Sequence, residues 1–241
     1  MGRGGGIGQG GGIALAALAA FLLTFPLRAE ITGAEFDAPT TRYDHAILGD
    51  AIEWGALVLD LADGRRLRIT LPERRVFEDL APRLVDLDRD GAPEVIVVET
   101  DLARGARLSI YGERGLIAAS PFIGRAHRWL APAGAADLDG DGFMEIAWVD
   151  RPHLAKILKI ARFRDGRLEP VAKARGFSNH RIGDDFITGG VHDCGSGAEI
   201  VIPDADWREI MAVRLEGGEV IARVLAAYSP DAIRQALACG R

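Results

Sequence analysis

The sequence predicts an all-β fold built from four copies of one unit and closed by a short C-terminal helix. Two independent sets of markers lead there. Tight-turn signals at Asp63-Gly64, Gly112-Glu-Arg-Gly115, Asp165-Gly166 and Gly217-Gly218 recur at steps of about 50–52 residues, each between two strand-like runs. Two acidic segments, Asp86-Leu-Asp-Arg-Asp-Gly-Ala-Pro-Glu94 and Asp137-Leu-Asp-Gly-Asp-Gly-Phe-Met-Glu145, recur 51 residues apart, and each runs straight into an apolar strand.

A unit of this length with four short antiparallel strands cannot bury both of its faces alone. Radial stacking solves that problem, so the expected architecture is a small β-propeller of about four four-stranded blades. A sandwich would show no such register, and a β-helix would repeat on a much shorter period. Four blades make a small ring, and the sequence leaves both a closed and an open ring standing.

The expected blades cover approximately 34–80, 81–127, 130–178 and 184–225, within one domain over 30–241. Each carries an outer hairpin: Ala56–Leu61 with Arg66–Leu71, Arg107–Tyr111 with Leu116–Ala119, Lys156–Phe163 with Leu168–Ala172, and Glu209–Leu215 with Glu219–Val224. Upstream lies a second strand pair: Arg83–Val85 with Glu94–Val98, Ala133–Ala136 with Glu145–Val149, and Gly189–His192 with Glu199–Pro203. In the first unit the register assigns these roles to Phe36-Asp37 and Ala46–Leu48. Phe186–Thr188 reads as a further short strand after an acidic turn at Asp184 and Asp185. The tail departs from the repeat. Ser229 as N-cap, Pro230 at the first position, Asp231 in the first turn and a glycine after the end predict a helix over 229–239.

Residues 1–29 read as a secretory leader: Arg3 in a glycine-rich start, an apolar run from Ile13 to Phe25, and a small residue at Ala29. The apolar run is short for a bilayer span, so no transmembrane segment is expected in the mature chain. The protein is thus expected to be exported, to a periplasmic or extracellular location. The whole chain of 241 residues carries a formal charge of −6, and cleavage after Ala29 would remove Arg3 and Arg28 and make it more acidic. That balance disfavours nucleic acid as a partner. The two cysteines, Cys194 and Cys239, form an even set in an exported chain, which predicts a disulfide tying the tail helix to the last unit.

The acidic segments carry the clearest chemistry. Carboxylates at positions 1, 3 and 5 and a glycine at position 6 converge several hard oxygens around a bend that glycine takes without strain, which suits calcium. At these residues the chain resembles the FG-GAP/VCBS repeat family, the calcium-binding propeller repeats of integrin alpha subunits and many bacterial secreted proteins. The match covers the acidic segments and the runs Val95–Val98 and Ile146–Val149 that follow them. The resemblance implies one ion held by Asp86, Asp88, Asp90 and Glu94 with the carbonyl of Ala92. It implies a second held by Asp137, Asp139, Asp141 and Glu145 with the carbonyl of Phe143. Both ions would hold the scaffold rather than perform chemistry. Glutamate closes each segment where many family members have aspartate. The first unit keeps only Asp37, and the fourth, His192-Asp193-Cys194-Gly-Ser-Gly-Ala-Glu199, is a residue short and carries a cysteine; neither is expected to hold an ion.

Two His-Arg pairs, His127-Arg128 and His180-Arg181, fall 53 residues apart in equivalent turns. They read either as turn residues bonding neighbouring blades or as a partial basic ring receiving an anion or acidic partner. Gly-x-Ser-x-Gly and His-Glu-x-x-His patterns do not occur in the sequence. Of the tryptophans, Trp148 is expected in the core, and Trp54 and Trp207 at blade edges. The leading expectation is a non-catalytic binding or scaffold module for a protein or polysaccharide partner, with an open propeller edge as a route to oligomers. The alternative is a propeller-based hydrolase or lyase with its site near His180 and His192, together with Arg181 and Asp184.

Overall fold

A computed structural model describes residues 1–2, 4–6 and 29–240. The expected leader lies almost wholly outside the described residues. The described residues are all-β with one short helix. Its first unit holds β1 (Ile31–Thr40), β2 (Glu53–Leu61) and β3 (Arg66–Thr70), followed by a three-residue strand β4 (Arg75–Phe77). The second unit is β5 (Arg83–Val85), β6 (Glu94–Asp101), β7 (Gly105–Gly112) and β8 (Gly115–Ala119). The third is β9 (Leu130–Ala136), β10 (Met144–Asp150), β11 (Ile157–Arg164) and β12 (Arg167–Arg175). The fourth is β13 (Gly190–Asp193), β14 (Ala198–Pro203), β15 (Glu209–Glu216) and β16 (Glu219–Ala227), and α1 (Pro230–Leu237) follows.

Units two to four are four-stranded antiparallel meanders in chain order. Their outer hairpins turn where the sequence places them. Asp165 and Gly166, at φ +50° and +69°, and Gly217 and Gly218, at +58° and +81°, take the left-handed conformations a two-residue hairpin needs.

The second strand of each meander shows how sequence fixes packing. Successive side chains on a strand point to opposite faces. Val95 and Val97 of β6 join a core with Leu57, Leu59 and Phe77 of the first unit, whereas Ile96 and Val98 join a core with Ile146 and Trp148 of the third. Ala147 and Val149 of β10 in turn meet Ile200 and Ile202 of the fourth. Sheets buried on both faces need uninterrupted apolar strands, and that is why these runs do not alternate. Val201 points the other way, onto Ile210 and onto Ile233 of α1. The helix therefore covers the outer face of the last sheet. Ser229 caps it, its hydroxyl accepting from the Ala232 amide at 3.0 Å.

The first unit departs from the expectation. Ala46–Leu48 is a turn, not a strand, and β1 pairs directly with β2 over most of its length. Asp37 lies within β1 opposite Ala56 and pairs with Arg68, so it belongs to no loop. Ala46 and Gly49 take left-handed φ of +48° and +96°, which a strand excludes, and the loop instead sends Ile47 and Leu48 into the core between sheets two and three. Burial alone produced the apolar signal. Phe186–Thr188 is likewise not a strand; Phe186 is exposed and Ile187 joins the same core. β4 was not anticipated: it bridges β2 at Trp54 and β6 through Arg75–Phe77, joining units one and two in one sheet.

Candidate functional site

Both acidic segments form tight loops between the first two strands of their units. In the first, ligand atoms of Asp86, Asp88 and Asp90 all lie within 4.8 Å of one another. The amides of Asp90 and Gly91 donate to the Asp86 carboxylate, each at 3.1 Å, and the Ala92 amide donates to Asp90 at 2.9 Å. Glu94 is fully buried at the start of β6 and accepts from the Leu87 amide at 3.0 Å. The second loop repeats this. Gly140 and Gly142 donate to Asp137 at 2.8 and 3.0 Å, Phe143 donates to Asp141 at 3.0 Å, and Leu138 donates to buried Glu145 at 2.9 Å. The fourth position is left-handed in both, Arg89 at φ +59° and Gly140 at +77°. Backbone bonds thus hold the carboxylates in place, and an all-oxygen donor set is the chemistry calcium takes.

The second loop differs in one respect. Arg162 of β11 stands opposite Glu145 and spreads its guanidinium over three carboxylates. Nε donates to Glu145 at 2.6 Å, Nη2 to Asp139 at 2.8 Å, and Nη1 reaches Asp141 at 2.7 Å. In unit two the matching place falls to Gly112, beside Tyr111, which is the partner of Val95. The two loops are further tied together by Arg89, whose Nη2 donates to Asp137 at 3.3 Å.

The fourth unit keeps the closing glutamate without the loop. Glu199 receives His192 at 3.1 Å and Arg223 at 2.5 Å. A disulfide joins Cys194 to Cys239, their Cα atoms 5.5 Å apart, as the even cysteine count predicted.

A second constellation gathers at one end of the stack, where the β1–β2 loop meets the segments that follow β4, β8, β10 and β12. The His45 Nδ1 lies 2.5 Å from Glu78, and the His127 Nε2 lies 2.8 Å from Asp44. His153 Nε2 lies 2.9 Å from His180 Nδ1, and His180 Nε2 donates to the Asp184 carbonyl at 2.9 Å. Tyr43 stacks on His127, and Trp129 meets His180 edge-on while donating to the Glu78 carbonyl at 2.9 Å. Burial shapes the electrostatics here. It pushes the Glu53 carboxyl up to about 9, aided by neighbouring Glu78, and raises Glu78 as well. It lowers His180, and lowers His153 to about 4, so both imidazoles are neutral near pH 7.

The expected basic ring does not assemble as one face. His127 is exposed, with Arg128 turned onto its carbonyl at 2.7 Å. His180 is buried behind His153, and Arg181 stacks over Trp207 and Tyr228. The expected hydrolase or lyase group is also dispersed. His192 bonds the Ala236 carbonyl and Glu199, whereas His180 meets Trp129, His153 and only the backbone of Asp184. Sequence reading missed Tyr43, His45, Glu53, Glu78 and His153. Their signal was departure from the repeat, since Tyr43-Asp-His45 and Arg151-Pro-His153 have no counterparts in the other units.

Comparison with family models matches residues 84–148 to the FG-GAP-like repeat. The matched segment runs from β5 to the middle of β10 and holds both acidic loops, so this part of the chain is similar to an FG-GAP-like repeat. Comparison with curated proteins finds no match. Among the described residues no helix is long and apolar enough to cross a membrane.

Proposed function

We propose that the chain is an exported, calcium-stabilised β-propeller of the FG-GAP type that works as a non-catalytic binding module for a protein or polysaccharide. The observation that carries this reading is the pair of backbone-braced carboxylate loops within the matched repeat, set between stacked four-stranded sheets. Asp86, Asp88, Asp90 and Glu94 would hold one ion. Asp137, Asp139, Asp141 and Glu145 would hold a second only by displacing Arg162. The disulfide supports an oxidising compartment. Exposed Ile182, Leu154 and Phe186, at 78%, 65% and 52%, offer apolar contacts for a partner.

Calcium titration of the mature protein, followed by thermal unfolding, tests the reading. A ligand at about 100 times its Kd adds about 2.7 kcal/mol to a folded state that alone binds it. An unchanged melting midpoint between chelator and millimolar-range calcium would reject calcium as the scaffold ion. Light scattering under the same two conditions tests association through an open edge.

A further inference from the structure

Four of the chain's five histidines meet at one end of the stack, and neither the repeat motif nor the acidic loops account for them. Their hydrogen bonds fix which ring nitrogens carry protons. A carbonyl only accepts, so His180 donates to Asp184 from Nε2, and its Nδ1, unprotonated in the neutral ring, must accept from His153 Nε2. His45 donates from Nδ1 to Glu78, and His127 donates from Nε2 to Asp44. The nitrogens left over are His45 Nε2, His127 Nδ1 and His153 Nδ1, each a lone pair in the neutral ring. These three histidines line one cavity of about 50 Å³, the size of a small bound ion with its water.

We propose that His45, His127 and His153 form a binding site for one divalent cation of the zinc class. Imidazoles that ligate such ions hold their other ring nitrogen on a carboxylate or carbonyl acceptor, and here Glu78 and Asp44 occupy that supporting position. Three nitrogen ligands with an open fourth position suit zinc and not calcium. The surroundings also suit a cation: the Glu78 carboxyl is fully buried against His45, and a bound cation would favour its charged form. The two arginines at the cavity are otherwise engaged: Arg151 on Asp150 through two nitrogens, Arg128 on the His127 carbonyl. The three nitrogens do not all lie within 4.8 Å of one another as the donors of the acidic loops do. Binding therefore draws in the exposed His127 ring, whose side chain is 47% accessible.

The test uses the mature protein in excess calcium, which keeps the oxygen loops filled, titrated with cobalt(II) and then zinc. One equivalent of cobalt should give the strong visible band of four-coordinate nitrogen ligation, and zinc should bleach it. Asp44→Ala, at an 89% exposed side chain, should weaken zinc about 10–100-fold through His127 alone. His127→Gln should lose the band while circular dichroism stays unchanged. A folded protein without the band overturns the proposal. So does a band that survives both His127→Gln and His45→Gln. Phosphate shifting the histidine ring resonances where cobalt does nothing would assign the cavity to an anion instead. None of these outcomes alters the calcium-dependent melting shift, so the two readings fail separately.

Discussion

Arg162 donates through Nε to the buried carboxylate of Glu145 at 2.6 Å, so a side chain of the protein itself supplies positive charge to the third unit's acidic loop. Removing one partner of a buried pair typically costs about 3–5 kcal/mol. Arg162→Gln should therefore destabilise the calcium-free protein by roughly 3 kcal/mol. It should also strengthen calcium binding at this loop, visible in calorimetry as added stoichiometry or a steeper melting response. Equal calcium isotherms for the two proteins would refute the competition.

Gly105 sits at φ +73°, and an added Cβ would meet the carbonyl oxygens of Arg125 and Arg128 at 2.3 and 2.6 Å. Gly105→Ala should lose about 3 kcal/mol in urea unfolding, the sum of backbone strain and displaced chain. Gly64→Ala is the control: φ is +83° with nothing within 4 Å, so strain alone applies, about 1 kcal/mol.

The Cys194–Cys239 bridge closes a loop spanning 45 positions. Loop-entropy reasoning gives it roughly 4 kcal/mol, with 2–5 typical on removal. Paired serine substitutions should lower the melting midpoint, and hydrogen exchange in α1 should rise first, because Ile233 anchors the helix to Val201. Protection in α1 that outlasts the loss of the bridge would show the apolar contact alone holding it.

Burial pushes the Glu53 carboxyl up to about 9, well above the 4.5 of an ordinary glutamate. Between those values the folded state binds more protons than the unfolded state, so stability falls as pH rises through the window. Glu53→Gln should flatten this slope and make the variant relatively more stable at pH 8 than at pH 5. Parallel pH–stability curves for the two proteins would show that Glu53 does not titrate in this window.

Much of the β-framework was legible because one period wrote the same local chemistry several times. Turn pairs such as Asp165-Gly166 specify hairpins by backbone preference, and strands such as Val95–Val98 are apolar on both faces because both are covered. The first unit was misread because Ile47 and Leu48 are apolar for burial in another unit's core, and a repeat register cannot separate that from a strand. The histidine end was invisible for a related reason. His45, His127 and His153 come from unrelated stretches, and only the stacking of sheets brings them to one cavity. The carboxylate loops, by contrast, are local, with donors and acceptors mostly within a few residues.

The three-residue strand β4 has a consequence for how the molecule comes apart. Arrays of repeats generally lose structure one unit at a time, each depending only on its neighbours. By hydrogen bonding to both β2 and β6, β4 makes the first two units share one continuous ladder. These two should melt as a single cooperative block, leaving the third and fourth as separable steps. A ladder that runs unbroken from one sheet into the next leaves this junction little freedom to act as a hinge.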